Sequence, residues 1–370
     1  MPRVDMKKIC FVIPNHWTHT MGGAQYQMKL IVEHLVATGG YEIFIAARNF
    51  GEGTDNAGYT PISVRSRLGV GGFNRLGDGF KLSRTLHDIR PDIIYQRVGC
   101  AYTGYCAYYA KRANIPMFWH VALDNDVLPV GKLEELNQPY MSLEKRVLEY
   151  GVRNTSNIIA QTCYQEKMLE QYYGRSVSAV IGNFHPAPVE RITKTDPVKV
   201  VWVANLKPSK SPETFVNLAA RFAGNANVSF IMIGGLMGNT AWNSDILEKI
   251  DKTPNVTYLG HIAQAEVNEH LAQSHILVNT SQVEGFSNTF IQAWLRKVPV
   301  VSLSVDPDGV LGKKKVGLCS GSFDRLVEDV GSLVSNEKLR DTMGENAALH
   351  AAKYHSNSNI DQLIELFGRS

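Results

Sequence analysis

Short apolar runs separated by helix-length amphipathic stretches constrain this chain more than any other feature. "KICFVIP", "YEIFIAA", "PDIIYQR", "IPMFWHV" and "SNIIAQT" are short and largely apolar, as strands buried on both faces must be. Between the first two, "GGAQYQMKLIVEHLVATGG" sets Met28, Ile31, Val32 and Leu35 at helical spacing and stops at Gly39-Gly40. "FKLSRTLHDI" and "GYCAYYAKRA" read as further intervening helices. Parallel strands need such crossovers, so the alternation predicts βαβ units wound onto both faces of a parallel sheet.

The series begins a second time. After the proline-rich polar stretch "IGNFHPAPVERITKTDPVK" come "VVWVANL", "VSFIMIGG", "VTYLG", "HILVNTS" and "VPVVSLS" as strands. Helices are expected over 211–222, 243–250, 264–272 and the stretch holding Gln292. Three more helices close the chain, with no obvious strand among them. A chain of 370 residues is too long for one typical core and suits two domains. The fold class is therefore α/β, with two Rossmann-like doubly wound domains, 1–195 and 196–354, facing across a cleft. The last helix, about 355–370, is expected to pack back on the first. Ligands of such sheets sit beyond the carboxyl ends of the strands, so the chemistry belongs in those loops.

Composition removes whole classes of function. The hydrophobic share of 44% and charged share of 20% are those of a soluble globular protein, with no low-complexity tract. No segment has the roughly 18 apolar residues of a membrane span, and the apolar run Ile9–Pro14 is too short for a signal sequence. Five cysteines (Cys10, Cys100, Cys106, Cys163, Cys319) without a CxxC suit a reducing cytosol and neither a disulfide framework nor a zinc site. Residues 1–195 hold 22 Lys and Arg against 17 Asp and Glu, whereas 196–370 hold 16 against 18. Two readings of this bias stand: an ordinary solvated surface, or attraction to anionic ligands or a membrane surface. No run of five like charges occurs, and no nucleic-acid partner is expected.

Two loops of the second half combine the right groups. Ser281–Asn288 follows a strand and opens a helix, where backbone N–H groups accept an anion and Gly285 permits close approach. Lys210, in "ANLKPSKSPE", lies in the loop after the second half's first strand and supplies a compact cation. Glu284 adds a carboxylate on a rigid Gly-Phe turn. Its alternative is a structural acid facing a helix start, worth about 0.5 kcal/mol. The competing motifs fail. "GVGGFN" from Gly69 lacks a third glycine, "GVLGKKK" from Gly309 has the wrong spacing for a phosphate loop, and Asp124–Asp126 and Asp306–Asp308 read as turns. His16 and His19 lack the carboxylate of a metal site.

Four stretches carry a resemblance to a known family: "MGGAQYQMKLIVEHLVATGG", "VWVANLKPSKSPETFVNLA", "YLGHIAQAEVNEHLAQSHILVNTSQVEGFSNTFIQAW" and "VPVVSLS", with weaker echoes in "IPMFWH" and "VIGN". In order and spacing they resemble the GT-B-fold retaining glycosyltransferases of family 4 (glycosyl transferases group 1) over essentially the whole chain. The resemblance makes 1–195 the acceptor side and 196–354 the nucleotide-sugar side. It implies that Glu284 faces the donor sugar, that the amides of Gly285, Phe286, Ser287, Asn288 and Thr289 bind sugar hydroxyls and the distal phosphate, and that Lys210 neutralises the diphosphate. It also implies that His120 touches the donor sugar, that Gly22 and Gly23 abut the diphosphate and acceptor, and that the backbone at Ile262 meets the nucleobase. By itself, His120 at the end of an apolar strand would be a satisfied core histidine.

Two positions depart from the family pattern. Asn205 stands where an arginine is usual, with Lys207 near enough to compensate, and Gln292 stands where a ribose-binding glutamate is usual. Loss of a charge-assisted contact costs about 1.5 to 3 kcal/mol if nothing replaces it. The expected function is transfer of a sugar from a UDP- or GDP-sugar to an acceptor hydroxyl with retention, in polysaccharide or glycolipid synthesis. No cofactor or metal is expected. Glu284, His120 and Lys210 are the expected catalytic residues. The alternatives are a GT-B nucleotide-sugar epimerase or hydrolase, or a nucleotide-sugar-binding homologue without activity. The acceptor is expected to be a carbohydrate or lipid-linked, read by first-domain residues such as His16, His19, Arg97 and Asp124. The protein is expected in the cytoplasm, with peripheral contact to the inner face of the membrane through the glycine-rich basic loop Arg65–Arg84 as one reading and a mobile flap as the other.

Overall fold

The computed structural model describes residues 6–54, 58–67, 71–133 and 138–369. The chain divides into two compact units, residues 1–182 with 360–370, and residues 183–359.

The first unit is built on seven parallel strands: β1 (Lys7–Asn15), β2 (Tyr41–Asn49), β3 (Thr60–Ser63), β4 (Ile93–Arg97), β5 (Met117–His120), β6 (Asn157–Ala160) and β7 (Ala179–Val180). Their order is β3-β2-β1-β4-β5-β6-β7, so the winding reverses between β1 and β4. Side chains alternate across the sheet. Cys10, Val12, Ile94, Met117 and Trp119 share one core with Leu82 and Leu86 of the helix Gly79–Ile89 and Cys106 of the helix Ala101–Ala113. On the other face the last helix, Ser358–Gly368, brings Phe367 against Tyr95 at 5.9 Å and Phe118 at 4.9 Å between ring centroids.

The second unit has six parallel strands: β8 (Val198–Val203), β9 (Val228–Ile233), β10 (Val256–Tyr258), β11 (Ile276–Asn279), β12 (Val300–Ser302) and β13 (Gly317–Cys319). Their order is β10-β9-β8-β11-β12-β13, with the reversal between β8 and β11. Along β8, Val198, Val200 and Trp202 enter one core while Val201 enters the other, so a single strand feeds both layers. Both reversals lie where a doubly wound sheet opens a crevice at its carboxyl edge.

Several expectations need correction. The boundary lies at 182/183 rather than 195, because residues 183–195 are bonded into the second unit: Thr193 N–H donates to Ala272 O at 3.2 Å and Arg296 pairs with Glu190 at 2.7 Å. Strands β3, β7 and β13 were not expected. All three are short edge strands, and β3 contains Pro61, which only an edge tolerates. The basic stretch Arg65–Arg84 is no simple loop, since Gly71–Phe73 is a 3-10 turn and Asn74–Gly77 and Gly79–Ile89 are helical. Its Leu68 and Val70, like Met1–Asp5 of the amino terminus, lie outside the described residues, while Phe73 and Phe80 are exposed. Among the described residues no helix is long and apolar enough to cross a membrane.

Candidate functional site

Lys210 and Glu284 come together at the β8/β11 reversal. The loop after β8 tightens into a 3-10 turn, Pro208–Lys210, and Ser211 at φ 45° turns the chain into the helix Pro212–Ala220. The loop after β11 runs from Thr280 to Ser287 and opens the helix Asn288–Leu295. The two loops are bonded to each other: the Thr280 hydroxyl donates to Lys210 O at 2.7 Å, Gln282 N–H donates to Ser209 O at 3.1 Å, and Trp202 Nε1–H donates to the Thr280 hydroxyl at 2.9 Å. On that scaffold Lys210 Nζ forms an ion pair with Glu284 Oε1, with 18% and 14% of the two side chains exposed. Both groups therefore keep a solvent-facing side.

A close backbone approach supports the Asn205–Lys210 loop. Ala204 N–H donates to Ile233 O at 3.0 Å and Leu206 N–H to Gly235 O at 2.8 Å, so the chain after β8 runs parallel to and beside the chain after β9. Gly234 sits at φ 150°, and a Cβ there would lie 1.7 Å from Ala204 O. No other residue fits. Asn205 is half-buried between these two bonds. Lys207 is exposed, and its ammonium pKa is lowered, first by lost hydration and then by Lys210. Two cations thus share one side of the loop.

At the helix start, Gly285 and Ser287 are buried, and the hydroxyls of Ser287 and Thr289 meet at 2.8 Å. Phe286 and Asn288 are half-buried, with the Phe286 carbonyl accepting from Asn183 Nδ2–H at 2.8 Å. Gln292, one turn on, is 4% exposed and faces Asn268, whose Oδ1 is 3.5 Å from its Nε2. Its side chain meets that one amide, and its backbone carbonyl accepts from Arg296 Nη1–H at 2.9 Å. Ile262 is half-buried beside the Gly260–His261 turn. Glu284, Gly285–Thr289, Lys210, Asn205 and Gln292 thus belong to one unit and adjoining elements. Among its described residues no group of three or more His, Cys, Asp or Glu is arranged to hold a metal ion.

The first-unit candidates differ in kind. His120, at the end of β5, is 2% exposed and uses both ring nitrogens within its own unit. Nε2–H donates to Ile181 O at 3.0 Å, so Nδ1 is the acceptor for the Tyr95 hydroxyl at 2.8 Å and Arg97 at 3.2 Å. Burial and the Arg97 charge push its pKa well below the usual histidine range. Such a ring is in the environment of a satisfied core histidine, with no nitrogen left over for a sugar. Arg97 is itself 1% exposed, and His16 is fully buried, stacked 3.8 Å from Trp17 and bonded to Thr18 and Tyr59. His19 is exposed, and Asp124 accepts from Gln165 at 2.9 Å. Gly22 caps the helix Gly23–Thr38, where a Cβ would come 2.7 Å from Gln25 Oε1. Beside that helix an open groove of about 530 Å³ is lined by Trp17, Met21, Lys29, Val32, Glu33 and Tyr59 among others.

Sequence reasoning missed Asp126. Its buried carboxylate accepts from the N–H groups of Gly99, Ala122 and Leu123 at 3.1, 3.2 and 3.0 Å, pinning the loops after β4 and β5 together. Val98, in the loop after β4, is held at φ 77°, a strained setting for a β-branched residue. The "DND" signal was visible, but nothing local separates a loop pin from a turn. Asn183, His185 and His355 were also missed, being far from Glu284 in sequence.

Comparison with known proteins fits this geometry. Residues 188–350 match the model of the glycosyl transferases group 1 family. The capsular polysaccharide biosynthesis glycosyltransferase CapM of Staphylococcus aureus is 28% identical over 143 residues, which is 38% of this chain and 37% of CapM. The matched stretch thus spans little more than a third of that relative. Among solved structures, HepE from Anabaena in complex with UDP has a TM-score of 0.75 at 18% identity, covering 98% of this chain and all of that one. Sucrose-phosphate synthase from Thermosynechococcus elongatus has a TM-score of 0.78 at 14% identity, covering 98% of each. At such identities the likeness is one of fold. With its two parallel-sheet Rossmann-like units the chain has the GT-B architecture, and within it residues 188–350 are similar to the glycosyl transferases group 1 family.

Proposed function

We propose that the protein moves a sugar from a UDP- or GDP-sugar to an acceptor hydroxyl with retention of configuration, in polysaccharide or glycolipid synthesis. The observation that carries this reading is the Lys210–Glu284 pair at the β8/β11 reversal, beside the start of the helix Asn288–Leu295. A diphosphate entering there exchanges the carboxylate for phosphate oxygens as the partner of Lys210, and Glu284 turns to sugar hydroxyls. Lys207, Lys210 and the helix start then form a fixed positive field for the departing diphosphate, which is where electrostatic stabilisation matters most. Displacement on the front face, with the leaving phosphate taking the acceptor's proton, needs no protein nucleophile. It needs no metal either, since the cations are built in.

Gln292 faces the ribose in this reading, and Ile262 the base. Lys207 stands in for the charge missing at Asn205. His120 is given a different part from the one the resemblance implies: it holds the loop after β5 through Ile181 and Tyr95 and does not touch the sugar. The acceptor, a carbohydrate or lipid-linked, is assigned to the first unit, where the Trp17–Tyr59 groove offers aromatic and apolar walls and Phe73 and Phe80 a route to a membrane surface. UDP has support from HepE, which was solved with it. An epimerase or hydrolase is not favoured, because the relatives matched are glycosyltransferases.

The test is a thermal-shift screen against UDP-, GDP-, ADP- and TDP-sugars, with and without EDTA. A ligand at a hundred times its dissociation constant adds about 2.7 kcal/mol. A shift with a UDP- or GDP-sugar that survives EDTA, followed by acceptor-dependent nucleotide release, is expected. Silence toward all four sinks the donor reading, and binding without release leaves a homologue that has lost activity.

A further inference from the structure

The turn that carries Glu284 is tied to both places where the chain passes between its units. Those places are 182/183 and 359/360. From the first, Asn183 Nδ2–H donates to Phe286 O at 2.8 Å, and the His185 side chain is hydrogen-bonded to Asn288. From the segment before the second, His355 lays its ring on Phe286 at 4.5 Å between centroids. The two segments are also bonded to each other: His355 Nδ1–H donates to Asn183 O at 2.7 Å, and His185 N–H donates to His355 O at 3.0 Å. All of these partners belong to the second unit.

We infer that Asn183, His185 and His355 are positioning residues, a clasp that sets the direction of the Gly285–Asn288 backbone and through it of Glu284. The inference rests on the reading of that turn as the donor site. The turn has no helix or strand of its own from Gln282 to Ser287, so its amides are aimed only by what anchors them. The anchors are uncharged at neutral pH: burial pulls His355 down to about 4 and His185 to about 3. The Asn183 carbonyl fixes the tautomer of His355, with its proton on Nδ1. The clasp thus fastens the turn by neutral hydrogen bonds and adds no charge beside Lys207, Lys210 and Glu284. It also makes the donor turn and the two crossing segments one mechanical piece, so a ligand that orders one orders the other.

The experiment is amide hydrogen exchange on the full chain without ligand, comparing wild type with His355→Phe, which keeps the ring on Phe286 and deletes the Nδ1–H donor, and with Asn183→Ala. Exchange over 283–290 is expected to rise roughly tenfold while the helix Thr240–Asp251 of the same unit stays protected. Unchanged exchange at the turn overturns the inference, as does an equal rise throughout the unit, which is general destabilisation. Asn183→Ser, keeping a small polar group, serves if both variants fail to fold. A parallel titration of wild type and variants with UDP and GDP separates the two claims. Nucleotide affinity about five- to tenfold weaker in the variants, with little loss of melting temperature, is expected. A wild type that binds neither nucleotide sinks the donor reading, and exchange then decides the clasp alone.

Discussion

The two units share one architecture and treat the polar groups at their strand ends in opposite ways. In the first, His120 and His16 are all but sealed from solvent and satisfied by near neighbours, and Arg97 is buried beside His120. In the second, Lys210 and Glu284 pair at the winding reversal with part of each side chain still open. A buried, saturated polar group contributes to stability and to the shape of a loop. An ion pair that keeps a solvent-facing side can change partners when a ligand arrives. On the proposed reading, the same sheet edge serves as a frame in one unit and as chemistry in the other.

The sharpest way to break that contrast is to remove the carboxylate. Glu284→Gln is expected to lower turnover about a hundredfold or more, the scale of losing one positioned transition-state group, while shifting stability by no more than about 1 kcal/mol. Steady-state kinetics with the donor found by screening, beside urea unfolding, reads both. A large loss of stability would place Glu284 among the frame residues. The converse change is His120→Ala, which deletes a ring with three buried partners and is expected to cost about 3 kcal/mol of stability. If urea curves are unmoved and turnover collapses, His120 is chemistry after all.

Acid tests the frame without mutation. His355 has its pKa lowered from 6.5 to about 4 by burial, and His16 likewise. The folded state then binds fewer protons than the unfolded one. Their contribution is present above pH 6.5 and is lost as pH falls toward 4. At about 1.4 kcal/mol per tenfold change in proton affinity, each amounts to on the order of 3 kcal/mol across that window. The melting temperature should fall between pH 7 and pH 5, with a shallower slope in His355→Phe. A flat profile would show that these rings are hydrated.

The smallest effect is the most pointed. Gln292→Glu is expected to leave nucleotide affinity unchanged or improved severalfold, by restoring a carboxylate toward the ribose. The cost is moderate because Asn268 can turn its amide to donate. Isothermal titration decides it, and a collapse in folding would assign Gln292 to packing with Asn268 instead.

Much of this was legible beforehand. The strands Lys7–Asn15 and Val198–Val203 announce themselves by continuous apolar runs, and the place of Glu284, Lys210 and Gln292 after such runs is what makes them candidates. The edge strands Thr60–Ser63 and Gly317–Cys319 were not legible, since short, half-exposed pieces are made strands by their neighbours and not by their own pattern. Arg65–Arg84 misled for a related reason: its glycines signalled a loop, but Asp78 accepts from Arg48, Tyr102 and the Ser66 N–H and so anchors a chain that is largely helical.

What the sequence determined alone was period and order: which runs are strands, which stretches are helices, and that the pattern occurs twice. Those are local properties, written in spacings of two and of three to four residues. Only the tertiary structure decided that His120 faces inward to Tyr95, Arg97 and Ile181, that Asp126 is a pin, and that Asn183, His185 and His355 converge on Phe286 and Asn288. Hydrogen-bond partners separated by sixty to more than a hundred residues leave no local signature, because satisfying a buried polar group depends on what the fold brings beside it.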